Sequence, residues 1–172
     1  MMPIVGSVFI IVGCSAIGVM MVKRMKTRIW EMYQLRYYLL VLRGEIKYGR
    51  RNMVECFSEL EKKSKGCWHN FFENLVKELE GEKQSKLADI WEKSMNLYLQ
   101  ESCLRKEQKK EWLQLGQNLG YLDTEMQIAW INVCEERILE NIRKEKEQYN
   151  GQAKLYQTLG VMCGIFLVIV LI

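Results

Sequence analysis

The residues of this chain that could do chemistry are few and scattered. His69 is the only histidine and sits beside Trp68, with Phe71 two positions on. The six cysteines, Cys14, Cys56, Cys67, Cys103, Cys134 and Cys163, stand at long, irregular intervals, and no two form a CxxC pair. A protein zinc site gathers about four N or S ligands, usually through short paired spacings. Here there is no second histidine and no thiol pair, so no metal is expected. Neither GxxxxGK[ST] nor GxGxxG occurs. The glycine-rich loops that cradle phosphates are therefore missing, and no cofactor is expected either. Asp and Glu are plentiful but sit among Lys and Arg, as on solvated helix faces. No carboxylate pair is marked out for acid–base work, so His69 reads as a structural or surface residue and the chain as a non-enzyme.

One stretch does stand out, Leu115 to Gln127, LGQNLGYLDTEMQ. Gly116 and Gly120 are four apart and share one helix face. Two readings stay open: a tight helix crossing followed by a C-cap, or a docking surface for a partner.

The elements that must carry these residues follow from where the charge lies. Every Asp, Glu, Lys and Arg falls between Lys23 and Lys154, with a formal net charge of +4. Basic and acidic residues alternate, which does not suggest nucleic acid. The last eighteen residues, LYQTLGVMCGIFLVIVLI, carry no charge. As a helix they would be about 27 Å long, close to the hydrocarbon thickness of a bilayer. Pro3 to Val22 is a second uncharged stretch, followed by Lys23, Arg24, Lys26 and Arg28. A cleaved signal peptide places its positive charges before the apolar core, not after it. By the positive-inside rule both ends cross outward and the middle faces the cytoplasm. The free thiols fit that reducing compartment. The expected organisation is a transmembrane helix over 1–22, a cytoplasmic helical domain over 23–154 and a second transmembrane helix over 155–172. Gly160 and Gly164 form a GxxxG spacing, and Cys14 with Gly18 a similar one, suited to close packing of helices in lipid.

Pro3 is the only proline, and hairpin signals are absent, so the chain reads as all-α. Thr27 to Tyr48 is the first soluble helix. Met32, Leu35, Leu39, Leu42 and Ile46 form one stripe; Trp30, Tyr33, Tyr37 and Leu40 form another. Two stripes predict burial on two sides, with Gly44 interrupting the helix and Gly49 stopping it. Asn52 and Glu55 open a second helix with a capping box. A third runs from about Trp68 to Gly81, and a fourth holds Leu87, Ile90 and Trp91. A fifth spans Leu104 to Leu119 with Gly120 at its end. A sixth begins at Asp123 or Thr124, with Thr124 and Gln127 as its capping box, and runs unbroken into the C-terminal span.

The sequence also resembles the stage III sporulation protein AB family of endospore-forming bacteria. The resemblance covers essentially the whole chain. It rests on the N-terminal span with basic residues after it, on GEIKYG at 44–49, IWEKS at 90–94, LGQNLGYLDTEMQ at 115–127 and KLYQTLGVMCGIFLVIVLI at 154–172. It implies a six-helix bundle similar to the cytoplasmic domain of type II secretion platform proteins, flanked by two transmembrane helices. It implies a membrane subunit of the sporulation channel joining mother cell and forespore, lying on the mother-cell side in the outer forespore membrane. It further implies work beside a secretion-type ATPase and other membrane proteins of that complex, and a homo-oligomer. Gly44, Glu45, Tyr48, Gly49, Leu115, Gly116, Gly120, Asp123 and Gln127 match family positions, as candidates for partner binding or helix packing. The rival reading is a membrane-anchored regulator or sensor that binds a small ligand within the bundle, which would need a polar-lined cavity of about 300 Å³ or more.

Overall fold

The computed structural model describes residues 2–48, 52–81, 86–119 and 123–171. All regular structure among them is helical: α1 (Met2–Tyr48), α2 (Met53–Lys63), α3 (Cys67–Glu80), α4 (Leu87–Tyr98), α5 (Lys106–Leu119) and α6 (Thr124–Leu171). The chain forms two compact units, one of Met1–Trp30 with Asn141–Ile172, the other of Glu31–Glu140.

In the first unit, the start of α1 pairs with the end of α6 through small residues. A Cβ on Gly18 would lie 2.6 Å from the Tyr156 carbonyl oxygen; one on Gly160 would lie 2.9 Å from that of Cys14. A Cβ on Gly164 would come 2.9 Å from the Ile11 Cα. Backbone therefore meets backbone, which only glycine permits at this separation. Around this seam the outward surface is apolar: Phe9, Val12, Ile17, Phe166 and Ile169 are all exposed. Nearer the charged middle of the sequence, Arg28 Nη1 donates to Glu145 Oε2 at 3.1 Å, and Lys26 Nζ sits 5.7 Å from the Tyr149 ring centre. The apolar end of α6 is long enough to cross a membrane.

In the second unit, α2 packs on α3, α3 on α4 and α4 on α5. The core is aromatic. Tyr38, Phe57, Trp68, Phe71, Phe72, Trp91 and Trp112 make ring contacts with centroids 5.1–6.5 Å apart, mostly tilted or edge-on, the geometry that ring quadrupoles favour. Met32, Leu35, Leu39 and Leu42 of α1 close over the core, as does Ile131 of α6. Arg36 Nε and Arg43 Nη1 both reach Glu135, at 3.1 and 2.9 Å, and Arg43 also donates to Asn132 Oδ1 at 2.8 Å. Glu135→Ala should lower stability by about 1–2 kcal/mol, an effect that shrinks with added salt because both guanidiniums are partly exposed. Urea titrations at low and high ionic strength measure it.

Four expectations change. The second stripe of α1 is not buried: Trp30 is 54 % exposed, Tyr33 39 % and Tyr37 41 %. The core and α6 take one side of α1 and leave the opposite side open. Gly44 does not interrupt α1, which runs through to Tyr48; a Cβ there would meet nothing within 4 Å. A single glycine costs a helix about 1 kcal/mol, too little to break one anchored by packing. The cap of α6 is Asp123, whose Oδ1 accepts from Met126 N at 2.9 Å, rather than Thr124. Finally, α5 starts at Lys106 and not at Leu104, because side chains bind the backbone N–H groups before it. Ser102 Oγ accepts from Leu104 N at 3.2 Å, and Gln108 Oε1 accepts from Arg105 N at 2.9 Å. The last of these is the returning half of a capping box without the usual Ser or Thr at the cap. Elsewhere the Asn52–Glu55 cap is present, with Asn52 Oδ1 accepting from Glu55 N at 2.9 Å.

Candidate protein-interaction surface

The residues singled out in the sequence divide into two groups. Those of the 115–127 stretch are occupied within the second unit. Leu115 is buried, and Gly116 lies directly against the Trp91 indole, where a Cβ would overlap the ring atoms. Trp91 Nε1 in turn donates to the Trp112 carbonyl at 3.1 Å, so the ring is held from its other edge. Asp123 caps α6, and Gln127 Nε2 donates to the Leu119 carbonyl at 2.6 Å, tying the start of α6 to the end of α5. The stretch works as a lock between two helices. Gly120 and Gly49 lie outside the described residues.

The second group lies on α1. Gly44 has open space over it, Glu45 is half-buried, and Tyr48 is 79 % exposed, with Lys47 Nζ 4.9 Å from its ring centre. Gly44 and Tyr48 continue the face of Tyr33, Tyr37 and Leu40: steps of four, three, four and four keep all five on one side of a 3.6-residue helix. Exposed Lys47 flanks the line at its Tyr48 end. Tyr33, Tyr37 and Tyr48 thus leave aromatic side chains exposed on this side of α1.

His69 Nδ1 lies 3.0 Å from the Glu61 carbonyl at the end of α2. Among the described residues no group of three or more His, Cys, Asp or Glu could hold a metal ion. None of the six cysteines is joined in a disulfide. Burial pushes the Cys134 thiol up to about 11 and raises Cys67 and Tyr38, with nearby Glu31 adding to the rise at Cys67. Each is an acid whose neutral form the folded state favours. Their stabilisation is complete below the ordinary thiol value of 9.0 and is lost as pH climbs through the raised values. The melting temperature should therefore fall between pH 9 and 11, followed by tryptophan fluorescence; a flat profile there would contradict the burial of these groups.

Among the described residues the surface carries clefts of about 270, 360 and 400 Å³. The cleft of about 400 Å³ is lined by charged and polar residues, among them Glu55, Ser58, Glu59 and Lys62. The cleft of about 270 Å³ lies between α4 and α5, with Met95, Leu99 and Leu113 beside Lys106, Lys109 and Lys110. Lys109 Nζ already donates to the Leu99 carbonyl at 2.6 Å. None of the three is lined by the aromatic core residues.

These features define the class: a protein whose described residues form six α-helices, with a glycine-seamed helix pair and a last helix ending in an apolar stretch fit to cross a membrane. Comparison with known proteins makes it specific. The family model for stage III sporulation protein AB matches residues 3–172, and the chain belongs to that family of sporulation proteins. It is 27 % identical over 173 residues to the stage III sporulation protein AB of Bacillus subtilis (strain 168), covering 99 % of each chain. A solved structure of a stage III sporulation protein AB shares the fold at a TM-score of 0.66 and 20 % identity, over 72 % of this chain and 96 % of that one.

Proposed function

We propose that this chain is a non-enzymatic platform subunit of the sporulation channel between mother cell and forespore. It is anchored in the outer forespore membrane by both ends and holds its helical domain on the mother-cell side. There it presents helix surfaces to a secretion-type ATPase and to other membrane proteins of the complex. The observation that carries this reading is the pairing of the two uncharged chain ends through Gly18, Gly160 and Gly164, wrapped in exposed apolar side chains. A water-facing helix pair would not leave Phe9, Ile17, Phe166 and Ile169 in solvent; lipid is the solvent that suits them. The basic residues that follow the first stretch and precede the second support the same orientation.

The test is made in sporulating cells with the tagged full-length protein. The reading expects retention in membranes after an alkaline wash and co-isolation with the ATPase encoded beside it. It also expects loss of channel assembly when the gene is deleted. Release by salt, or a normal channel in the deletion strain, overturns it.

A further inference from the structure

The contacts between α1 and α6 in the first unit fix which of their residues stand level. Gly18 meets Tyr156, Cys14 meets Gly160 and Arg28 meets Glu145, so the two helices run antiparallel. Lys154 then stands close to the level of Met20, and Lys23 close to that of Gly151. The two lysines lie about 5 Å apart along the axis. They are also the first charged residues outside the two uncharged stretches.

Helical phase turns both to one flank of the pair. Arg28 and Glu145 meet across the other flank. Lys154 lies nine residues past Glu145, about half a turn away at about 100° per residue. Lys23 lies five residues before Arg28, about 140° away. Arg24, only four residues before Arg28, stays on the Arg28 side. Lys23 and Lys154 are exposed, and neither has an ion pair or hydrogen bond among the described residues. Acidic side chains stay clear of them. α1 has none before Glu31, and Glu145 is taken by Arg28. Glu147 lies about 10 Å from Lys154 along the axis, near the level of Lys26.

Towards the apolar ends the same flank continues without charge. Val19 and Val12 lie four and eleven residues before Lys23, and Val161 seven residues after Lys154, spacings that keep them in line. All three are exposed. Two unpaired cations above an apolar lane fit an amphiphile with an anionic head. We propose that Lys23 and Lys154 together bind the phosphodiester of an anionic phospholipid, whose acyl chains lie along Val19, Val12 and Val161. This assignment rests on both chain ends being anchored in lipid, as proposed above. A free phosphate would have no use for the lane. Nor would it find a backbone cradle, because the amides here lie inside long helices and are already bonded. Each cation at a bilayer surface raises the affinity for an anionic lipid about fivefold.

The experiment reconstitutes the full-length protein in vesicles of equal parts phosphatidylcholine and phosphatidylglycerol. Flotation of the vesicles scores anchoring. The protein is then extracted in mild non-ionic detergent, and the lipids it retains are counted by mass spectrometry. Retained phosphatidylglycerol should exceed phosphatidylcholine at least about tenfold. Lys23→Gln and Lys154→Gln should each lower that ratio about fivefold. Arg24→Gln, next to Lys23 but on the other flank, should change it less than about twofold. All three side chains are exposed, so the fold is kept, and circular dichroism verifies this. An equal loss from Arg24→Gln would mean diffuse attraction to any cation near the membrane, and it overturns the inference. So does the absence of a preference in the wild type. Washing with phosphate or with chloride at the same ionic strength should give the same ratio. Stripping by phosphate alone would mark a site for free anions and also overturns the inference. A protein that floats with the vesicles but retains the two lipids equally defeats this inference alone; one that does not float defeats the anchoring and this inference together.

Discussion

Gly116→Val should cost the helical unit about 3 kcal/mol or more. The glycine lies against the Trp91 indole, and any Cβ there overlaps the ring. Trp91 has no room to retreat. It is fully buried, bonded to the Trp112 carbonyl at 3.1 Å, and in ring contact with Phe57, Phe71 and Trp112 at 5.9, 5.1 and 5.3 Å. Overpacking a close-packed core costs about 1–3 kcal/mol, and more where a rigid ring must move. Replacing glycine by valine within α5 returns only a few tenths of a kcal/mol of helix propensity. Against a total stability of about 5–15 kcal/mol, the loss is severe. Denaturant unfolding followed by tryptophan emission reads it directly. Gly116→Ala should fall between wild type and Val, and an unchanged midpoint for Val would mean that the indole lies elsewhere.

Glu31→Ala should cost about 2–3 kcal/mol. The Glu31 carboxylate, on a residue 6 % exposed, accepts from Ser102 Oγ at 2.6 Å and from Cys103 N at 3.1 Å. It therefore pins the turn between α4 and α5 to α1. Removing it leaves two donors short of their acceptor in a largely dry place, and the cost is that of the stranded groups more than of the lost bonds. Glu31→Gln keeps one acceptor oxygen and should lose about half as much. A double-mutant cycle with Ser102→Ala should show coupling above about 1 kcal/mol; strict additivity would show that the two side chains do not meet.

How much of this was legible in the sequence depends on the range of the interaction. Local signals were readable. The Asn52–Glu55 cap, the stop near Gly81 and the unbroken run of α6 through Gly151 all follow from neighbours within four residues. The GxxxG spacing at Gly160 and Gly164 was readable as a capacity for close approach, though not that it faces Cys14 and Ile11. Long-range facts were not readable. Gly116 was marked by its spacing, but its neighbour Trp91 is set by how α4 lies on α5. Glu31 looked like any surface carboxylate, because its acceptor role is decided by Ser102, seventy-one positions away. The aromatic stripe of α1 shows the limit best. Periodicity tells which residues share a side of a helix; it does not tell whether anything covers that side.

The pattern of neighbours also bears on the order in which the second unit forms. α2, α3 and α4 each pack on the next helix along the chain, so their contacts close short loops. The link from Arg36 to Glu135 spans ninety-nine residues, and joining ends that far apart costs about 4 kcal/mol in chain entropy before any contact is made. The four middle helices are therefore expected to collapse first around Trp68, Phe71 and Trp91, with the two outer helices captured afterwards, and that late capture to set the folding time of the unit.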